Sequence, residues 1–473
     1  MIKPSSSGPS APSAVVPERV LGVREAIAII VGIVIGAGIF KTPAMVAGMT
    51  GNATWMFSVW LLGGVMSLVG ALCYAELATA YSHTGGDYHF LRRAFGRSVA
   101  FLFGWARFSV ITTGSIALLA FVFGDYMSQI LPLPTFGIAA GQSIYAVAAV
   151  LILSWINLRG TRTGTSTQSW LTATEIVGLL LIVAAAIFVP GNADAAQASL
   201  SASMPAPASL GMALVFVLLT YGGWNEAAYI SAELKDVRRN MVKALVWSIV
   251  IITALYLLVT WSYWKVLGIT GVARSEAVAA DLLHVAFGPA GARIISAIVA
   301  ISALTSINAT MIVGARTSYA IGQDWPALSS LGMWDGLRGT PANALRIQCM
   351  LALLLIAVGA WTGSGFKSMV EFTAPVFWLF FLLSGISLFV LRVREPETER
   401  PFKVPFFPLL PALFCATCAY MLWSSLSYVY SQSLGGLNAA WIGVAVLAVG
   451  FVLLLLMRSH AAQHQRSAIR STS

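Results

Sequence analysis

The chain has 473 residues, of which 58% are hydrophobic and only 10% are charged, and its mean hydropathy is +0.82. This composition excludes an ordinary water-soluble protein and is typical of a chain that crosses a lipid bilayer many times. The net charge of +10 would suit a polyanionic partner such as a nucleic acid. The placement of the basic residues instead indicates the orientation of the chain in a membrane, so we expect no nucleic-acid partner.

Twelve apolar segments predict twelve transmembrane helices. Most exceed the roughly 20 residues that a helix needs to cross the hydrocarbon core. Their approximate bounds, which define segments 1 to 12, are 23–49, 54–81, 98–130, 139–157, 168–189, 209–234, 240–264, 290–318, 343–361, 366–391, 407–429 and 437–457. The fold class predicted from the sequence is an all-α membrane protein embedded in the lipid bilayer.

The basic residues predict the orientation of these segments. With both termini inside, most of the 28 Lys and Arg residues fall on the inner side. The outer loops, short except at about 190–208 and 265–289, contain Lys265, Arg274, Arg293 and Lys367. This asymmetry is the positive-inside pattern, which predicts a multi-pass protein of the cell inner (cytoplasmic) membrane with both termini in the cytoplasm.

The ends of the chain differ in composition from the apolar region between them. Residues 1–20 are rich in Ser and Pro without an apolar core, which predicts a disordered cytoplasmic tail rather than a signal peptide. Residues 21–457 form one predicted transmembrane domain, and 458–473 form a second, loosely structured cytoplasmic tail. The cysteines and histidines form no ligand cluster, and Cys415-x-x-Cys418 lies in an apolar segment, so we expect no metal and no cofactor.

Two segments are interrupted near their middle by glycine-rich strings. Segment 1 contains IGAGIF at 35–40 (the first break), and segment 6 contains TYGGWN at 220–225 (the second break). A helix in lipid satisfies its own backbone polar groups, so a break is tolerated only where the freed groups meet protein, water or a ligand. Matched breaks in two halves of a chain indicate the substrate site of a transporter.

The positions of the breaks predict an inverted repeat. Each break lies about 13 residues, or roughly 20 Å, from the start of its segment, near the membrane midplane. Segment 1 runs outward and segment 6 runs inward, because an offset of five segments reverses direction. The sequence therefore predicts that repeat one (22–189) and repeat two (209–391) are related by inversion and that segments 11 and 12 (407–457) are additional.

The ends of the broken helices suit a ligand with a negative and a positive group. Where the helix resumes near Ile39, its first amides lack partners and the helix dipole is positive, which fits a carboxylate. Where the preceding half-helices end, carbonyls are free to accept hydrogen bonds from an ammonium group: those of Val34, Leu219 and Gly222. Glycines permit the required backbone conformations and a close approach of the ligand: Gly36, Gly38, Gly222 and Gly223.

These glycines have a second interpretation as helix-packing positions. Gly32 and Gly36 form a G-x-x-x-G pattern, which is common where membrane helices contact each other. The matched depth of the two breaks favours the ligand interpretation.

At these strings the chain resembles the amino acid–polyamine–organocation (APC) superfamily, and within it the L-type amino acid transporter branch. The string IGAGIFKTP at 35–43 resembles the family motif G-S-G-I-F-x-x-P, and YGGWNEAAYISAELKDVRRN at 221–240 resembles YGGWN…EE(L)xNPxRN. Further matches lie in segments 2 to 4 and the loops after them: Tyr74, Glu76, Leu77, Gly85-Gly86-Asp87-Tyr88, Gly104-Trp105, Asn157 and Arg159-Gly160.

The resemblance implies a LeuT-type fold, a 5+5 inverted repeat with alternating access at broken segments 1 and 6. By position, it implies that the substrate carboxylate meets the amides of Ala37, Gly38 and Ile39, and that the ammonium group meets the carbonyls named above. It implies a side-chain pocket bordered by Trp224, Asn225 and Glu226. Tyr221 and Trp224 flank the second break, where either ring could close over a ligand.

The chain departs from the family pattern in three places. Ala37 stands where Ser or Thr is common, which removes a hydroxyl donor. Glu175 stands where many relatives carry a lysine. The loop between segments 3 and 4 has no cysteine, so a disulfide-linked heavy subunit, as in animal relatives, is not expected.

Ionisable residues inside membrane segments indicate function, because their burial is costly. Arg107 and Glu175 lie at similar depth and could form a structural ion pair. Alternatively, Glu175 binds the coupling cation, either as a proton acceptor or as a ligand of sodium beside the hydroxyls of Thr305 and Ser306. Glu226 could select cationic substrates or face a neighbouring polar helix.

These features predict a secondary active transporter of amino acids, coupled to protons or sodium or working by exchange. No phosphate-binding loop or polar catalytic cluster indicates an enzyme, and no catalytic residue is expected. Two alternatives stay open: a polyamine or amine carrier, favoured if Glu226 faces the pocket, and a non-transporting amino acid sensor with the same fold.

Overall fold

The computed structural model describes residues 22–82, 86–159, 165–191, 204–226, 234–325, 328–335, 340–431 and 439–471. The tail predicted at 1–20 lies outside these ranges. Within them the chain is helical, and the β-structure is limited to one isolated bridge between Asp335 and Thr340.

The first part of the chain contains helices of very different lengths. They are α1 (Val23–Val34), α2 (Thr42–Thr50), α3 (Ala53–Ala80), α4 (Gly86–Phe95), α5 (Arg97–Ala106), α6 (Thr112–Ile130), α7 (Ile138–Leu158) and α8 (Thr165–Phe188). A 3-10 turn, Ala37–Phe40, separates α1 from α2, and a π-turn, Arg107–Ile111, joins α5 to α6. Such π-turns are rare and are often found at functional sites.

The second part continues the same helical architecture. Its helices are α9 (Pro207–Thr220), α10 (Val237–Arg274), α11 (Val278–Asp324), α12 (Ala342–Thr362), α13 (Gly365–Arg394), α14 (Leu409–Ser431) and α15 (Ala439–Ser471). A 3-10 turn, Trp224–Glu226, follows α9.

Nine helical stretches of the described chain are long and apolar enough to cross a membrane, and they coincide with segments 2–4 and 7–12. Segments 5 and 6 correspond to the shorter apolar helices Ala173–Phe188 and Pro207–Thr220. Segment 1 is divided between α1 and α2. The prediction of an all-α, multi-pass membrane protein is therefore confirmed.

The outer loop predicted at about 265–289 is largely helical. Gly268 (φ 70°) interrupts α10, and Gly288 (φ 67°) interrupts α11. Residues with side chains rarely adopt such φ angles, so the chain turns at these glycines. We call the residues between them, 269–287, the outer segment.

The last helix is longer than predicted. α15 continues to Ser471, beyond the predicted end of segment 12 at residue 457. Residues 458–471 are therefore helical, and their place as a cytoplasmic tail stays a prediction. The reason is local: residues 458–471 are rich in Ala, Gln and Arg and contain neither Gly nor Pro, so nothing in their sequence ends the helix.

Packing brings the two broken segments together in the middle of the bundle. α1 contacts α10, and α9 contacts α2, so each half of segment 1 lies against the second part of the chain. The long helix α11 packs against α6 and α8. One continuous apolar core joins these helices.

A buried carboxylate ties together the end of the bundle that is predicted to face inward. Glu76, near the end of α3, accepts hydrogen bonds from Arg392 Nε at 2.7 Å, from Arg392 Nη2 at 2.6 Å and from the amide of Val404 at 2.6 Å. Arg400 Nε lies 3.7 Å away. We call Glu76, Arg392 and Arg400 the inner ion cluster; it links α3 to α13 and to the loop after it.

Candidate substrate site at two helix breaks

The first break has the geometry that the sequence predicts. α1 ends at Val34, Ile35 and Gly36 are extended, and the chain then forms the turn Ala37–Phe40. The first amides of this turn have no partner within it, because helical hydrogen bonds begin only after them. Gly36 is half-buried, and the position where its Cβ would stand has no atom within 4 Å. Open space therefore lies directly beside the backbone of the break.

The second break turns at a glycine that no other residue easily replaces. α9 ends at Thr220, and Gly223 adopts a φ of 110° before the turn Trp224–Glu226. A Cβ on Gly223 would stand 3.2 Å from the carbonyl oxygen of Ile33 in α1. The side chain of Asn225 stabilises the turn, since its Oδ1 accepts from the amide of Gly223 at 3.3 Å.

The two breaks meet through a tyrosine and a pair of threonines. The hydroxyl of Tyr256, in α10, lies 3.1 Å from the carbonyl oxygens of both Val34 and Thr220, the last residues of α1 and α9. The hydroxyls of Thr42 and Thr220 are 2.7 Å apart. The ends of the two half-helices are therefore joined at one point inside the protein.

These contacts correct the prediction that the half-helix carbonyls are free. Val34 O has the Tyr256 hydroxyl as a partner, and Leu219 O accepts from the amide of Gly222 at 3.0 Å. The prediction was wrong because it counted only bonds within each helix. A carbonyl oxygen has two lone pairs, so Val34 O can still accept a second hydrogen bond.

The aromatic rings beside the second break belong to two clusters. Tyr221 is fully buried, packs against Trp60 and Tyr256, and donates to Trp60 O at 3.2 Å. Trp224 packs edge-on against Tyr74, with ring centroids 5.2 Å apart. The side chain of Glu226 lies outside the described residues.

A cavity lies beside the second break, between α3, α13 and α14. Its lining includes Gly222, Trp224, Trp378 and Ser67. In the described part of the chain, neither Ser67 Oγ nor Trp378 Nε1 has a hydrogen-bond partner. The cavity, of about 10 Å³, is therefore mainly apolar with two polar groups that a water molecule can engage.

Glu175 lies in a buried environment between α8 and α11. Its carboxylate accepts a hydrogen bond from the hydroxyl of Ser302. The structure thus gives Glu175 a hydroxyl partner, and the predicted pair with Arg107 stays a prediction. Arg107 begins the π-turn between α5 and α6.

The other two residues of the predicted cation site follow Ser302 along α11. The hydroxyl of Thr305 donates to the carbonyl of Ile301 at 2.9 Å, and Ser306 is half-buried. A role for these hydroxyls in binding a cation stays a prediction.

The sequence interpretation missed a second group of charges near the first break. Lys41 Nζ lies 2.8 Å from Asp125 Oδ2 in α6 and 2.8 Å from Glu276 Oε2 in the outer segment. We call these three residues the outer ion cluster. A signal was available, since Lys41 and Asp125 are ionisable residues inside segments 1 and 3. Tyr256 carried no such signal, because nothing distinguishes it from other aromatic residues of apolar segments.

The chain forms a helical bundle with many spans, two facing helix breaks and a cavity beside them. This is the general design of a membrane transport protein. The particular family is the amino acid permease family, to which the chain belongs: the family model described as "Amino acid permease" matches residues 21–462. This match confirms the resemblance to the APC superfamily.

The curated relatives are transporters of the L-type branch, as the sequence motifs indicated. The chain is 31% identical to the b(0,+)-type amino acid transporter 1 of Homo sapiens over 411 residues, which cover 86% of the chain and 82% of the relative. It is 30% identical to the same transporter of Mus musculus over 392 residues, or 82% of the chain and 79% of the relative. It is 29% identical to the large neutral amino acids transporter small subunit 2 of Homo sapiens over 418 residues, or 86% and 76%.

Proposed function

We propose that this permease moves amino acids across the membrane by alternating access at the two breaks. The observation that carries this proposal is the meeting of the two half-helix ends at Tyr256, with open space beside Gly36. The fold thereby offers amides and carbonyls to one small ligand from two segments that belong to different halves of the chain.

Each part of an amino acid has a place in this site. The carboxylate binds the amides of Ala37, Gly38 and Ile39, because these are the first amides of a turn and carry partial positive charge. The ammonium group binds the remaining lone pairs of the carbonyls at the ends of α1 and α9. The substrate side chain extends towards the cavity beside Trp224, whose apolar lining suits hydrophobic side chains.

The architecture we propose has twelve spans, with segments 1–5 and 6–10 as inverted repeats in a single domain at 21–457. The two shorter apolar helices and the divided segment 1 supply the three spans beyond the nine long ones. We place the protein in the cytoplasmic membrane with both termini inside, acting as a transporter and not as an enzyme.

We propose that transport needs no disulfide-linked partner. One relative is called a small subunit by name. In this chain the connection between α6 and α7 has no cysteine, and the four cysteines are free thiols in or near membrane helices.

We propose that Glu175 binds the coupling cation. Its carboxylate is buried, and the partner that supports this role is the hydroxyl of Ser302, which does not neutralise the charge. A buried carboxylate is costly without a counter-charge, so a proton or a sodium ion stabilises it.

Uptake by purified protein in liposomes tests the substrate. We would use a panel of radiolabelled amino acids and polyamines, with Gly36→Ala as the test variant and Gly48→Ala as the control. The backbone of Gly36 (φ −136°) accepts alanine, but the added methyl group occupies the open space of the site. We expect Gly36→Ala to reduce amino acid uptake roughly tenfold or more, as for a loss of about 1.4 kcal/mol in binding. Gly48→Ala, in α2 of the same segment, should keep normal uptake.

Three results of this assay would contradict the proposal. Transport of polyamines alone would assign the protein to amine carriers. No uptake of any compound would favour the sensor. Equal uptake by both glycine variants would remove the first break from the site.

The coupling proposal is tested by imposing an inward proton or sodium gradient on the same liposomes. We expect the gradient to drive accumulation in the wild-type protein and to have no effect on Glu175→Gln. Glu371→Gln is the control, because Glu371 is another glutamate inside a membrane helix and lies 3.8 Å from Lys367. Gradient-driven accumulation that survives in Glu175→Gln would overturn the assignment.

A further inference from the structure

A buried lysine stands at the joint between the first break and α2. Lys41 follows the last residue of the turn Ala37–Phe40, and its amide donates to Gly38 O at 3.1 Å, which closes the turn. Its side chain is only 3% exposed. Lysine is almost never buried to this extent without dedicated partners. The backbone that offers amides to the substrate is thus continuous with a buried cation.

The two carboxylates that face this cation differ in their environment. The side chain of Asp125 is 7% exposed, whereas that of Glu276 is 64% exposed. The ammonium group also donates to the carbonyl oxygen of Glu276 at 2.7 Å, so all three of its hydrogens have acceptors. Lys41 therefore has one partner in the interior and one at the surface.

A second, uncharged contact joins the same three elements. The hydroxyl of Tyr126, in α6, donates to the carbonyl of Phe40 at 2.7 Å and accepts from the amide of Ala279 in the outer segment at 3.4 Å. Phe40 and Tyr126 are both fully buried. Phe40 and Lys41, which are adjacent in segment 1, are therefore linked both to α6 and to the outer segment.

The outer segment has a turning point at each end. Gly268 and Gly288, which bound it, have φ angles of 70° and 67°. Hinges are a few element-terminal residues that absorb changes in φ and ψ, and both glycines stand at such positions. The unit that carries Glu276 can therefore change its position relative to α6 while the long helices on either side remain intact.

We propose that Lys41 is a positioning residue for the substrate site, held permanently by Asp125 and releasably by Glu276. The pair with Asp125 keeps the turn Ala37–Phe40 against α6 throughout transport. The contact with Glu276 closes the outer end and breaks when the outer segment moves away. The proposal rests on the proposed function, since it assigns this closure to one stage of alternating access.

The difference in exposure is the physical basis of this division. Separating Lys41 from Asp125 leaves two charges in an apolar interior, which is strongly unfavourable. Separating Lys41 from Glu276 costs little on the glutamate side, because that carboxylate is already mostly in water. When the outer segment opens, Lys41 and Asp125 remain a neutral pair.

Access to a buried cysteine from the outer solution tests the proposal. Val122 is fully buried in α6, one turn before Asp125 and Tyr126. We would place Val122→Cys in a chain whose four native cysteines are replaced by alanine, and measure its labelling by a membrane-impermeant maleimide in right-side-out vesicles. We expect Glu276→Gln to raise the labelling rate roughly threefold to tenfold. The population of the state that is open to the outer solution would rise by the same factor.

Arg274→Gln is the matched control. Arg274 lies at the end of α10 in the same outer segment and is exposed. Like Glu276→Gln, its substitution by Gln changes the charge of the segment by one, but Arg274 is not among the partners of Lys41 given above. We expect it to leave the labelling rate unchanged. If Glu276→Gln labels no faster than Arg274→Gln, the releasable closure is overturned.

A double-mutant comparison tests whether Glu276 acts through Lys41. In a Lys41→Met/Asp125→Asn background, adding Glu276→Gln should change the labelling rate by less than about twofold, because the cation is already absent. A full increase in that background would show that Glu276 acts through another contact and would overturn the role of Lys41. The single-variant comparison remains decisive if this background does not fold.

The labelling assay needs no substrate, so it separates this proposal from the proposed function. Faster labelling of Glu276→Gln in a protein that transports nothing would support the closure and reject the transport function. Normal amino acid uptake with identical labelling of all variants would support the transport function and reject the closure.

Discussion

The two ends of the bundle each hold buried charges, but they do so in opposite ways. The inner ion cluster has one carboxylate, Glu76, with two guanidinium groups and a backbone amide around it. The outer ion cluster has one ammonium group, Lys41, with two carboxylates around it. The side chains of Arg392 and Arg400 are 20% and 7% exposed, whereas that of Glu276 is 64% exposed.

This difference teaches which end of the protein is fixed. Every partner in the inner cluster is largely buried, so breaking any contact leaves an uncompensated charge inside the protein. In the outer cluster one partner is already in water and lies on a segment with a turning point at each end. We therefore expect the inner cluster to act as a permanent fastening and the outer cluster to open, and a series of substitutions can test this order.

The largest effect is expected for Glu76→Gln. It leaves Arg392 and Arg400 without their carboxylate, and breaking a buried pair in this way costs about 3–5 kcal/mol. The purified protein in detergent should show a large fall in its thermal unfolding temperature. A loss of less than about 1 kcal/mol, the scale of an exposed pair, would mean that the inner cluster is not a fastening.

A smaller loss is expected for Asp125→Asn. The amide can still accept a hydrogen bond from Lys41, and Glu276 remains as a counter-charge, so the cost should be near the about 1.5–3 kcal/mol of one charge-assisted hydrogen bond. The same unfolding measurement checks this value. A loss as large as that of Glu76→Gln would mean that Asp125 alone stabilises Lys41 and that Glu276 contributes nothing to the cluster.

A still smaller effect on stability is expected for Glu276→Gln. Its side chain is mostly in water, so the cost should not exceed about 1 kcal/mol. The unfolding temperature should therefore lie close to that of the wild type even where access to the outer end changes. If this variant is as unstable as Asp125→Asn, the two carboxylates are equivalent and the comparison between fixed and releasable partners fails.

The smallest effect is expected at an exposed pair near the inner cluster, Arg93 and Glu395, whose N–O distance is 2.8 Å. The hydrogen bond from Arg93 holds the pKa of Glu395 below its ordinary value of 4.5. A carboxyl group with a lowered pKa adds stability above its ordinary pKa, and this stability is lost as the pH falls through the lowered value.

We expect Glu395→Gln to reduce stability by about 0–1 kcal/mol at neutral pH, and we expect the difference to shrink as the pH falls through the lowered pKa of Glu395. Unfolding temperatures of both proteins between about pH 7 and pH 3 check this. A difference that persists at the acidic end would mean that Glu395 acts through packing rather than through its charge.

Much of the architecture could be predicted from the sequence because membranes impose simple rules. Long apolar segments predict the helices, and glycines at matched depth predict both breaks. Glu175 and Arg107 were identified by the cost of charge in lipid. The same rule, applied to every segment, would also have found Lys41 and Asp125.

The remaining features depend on contacts between helices that are distant in sequence. Tyr256 bridges Val34 and Thr220 only because α10 packs beside both breaks. The partner of Glu175 is Ser302 because α8 lies against α11. Local rules assign hydrogen bonds within one helix, so they could not show that side chains of other helices already occupy the carbonyls at the breaks.

The hydroxyl of Tyr256 has one hydrogen, and two carbonyl oxygens lie within its reach. At any instant the hydroxyl hydrogen can bond to only one of these oxygens. The two carbonyls therefore have one hydrogen-bond donor too few before a ligand binds. A primary ammonium group brings three donors and no acceptor, and it corrects this imbalance without an acidic side chain. A trimethylated nitrogen carries the same charge but no N–H, so it leaves the imbalance in place. We therefore expect selectivity to depend on the number of N–H donors of the ligand as well as on its charge. The site should bind an amino acid in preference to the betaine with the same carbon skeleton.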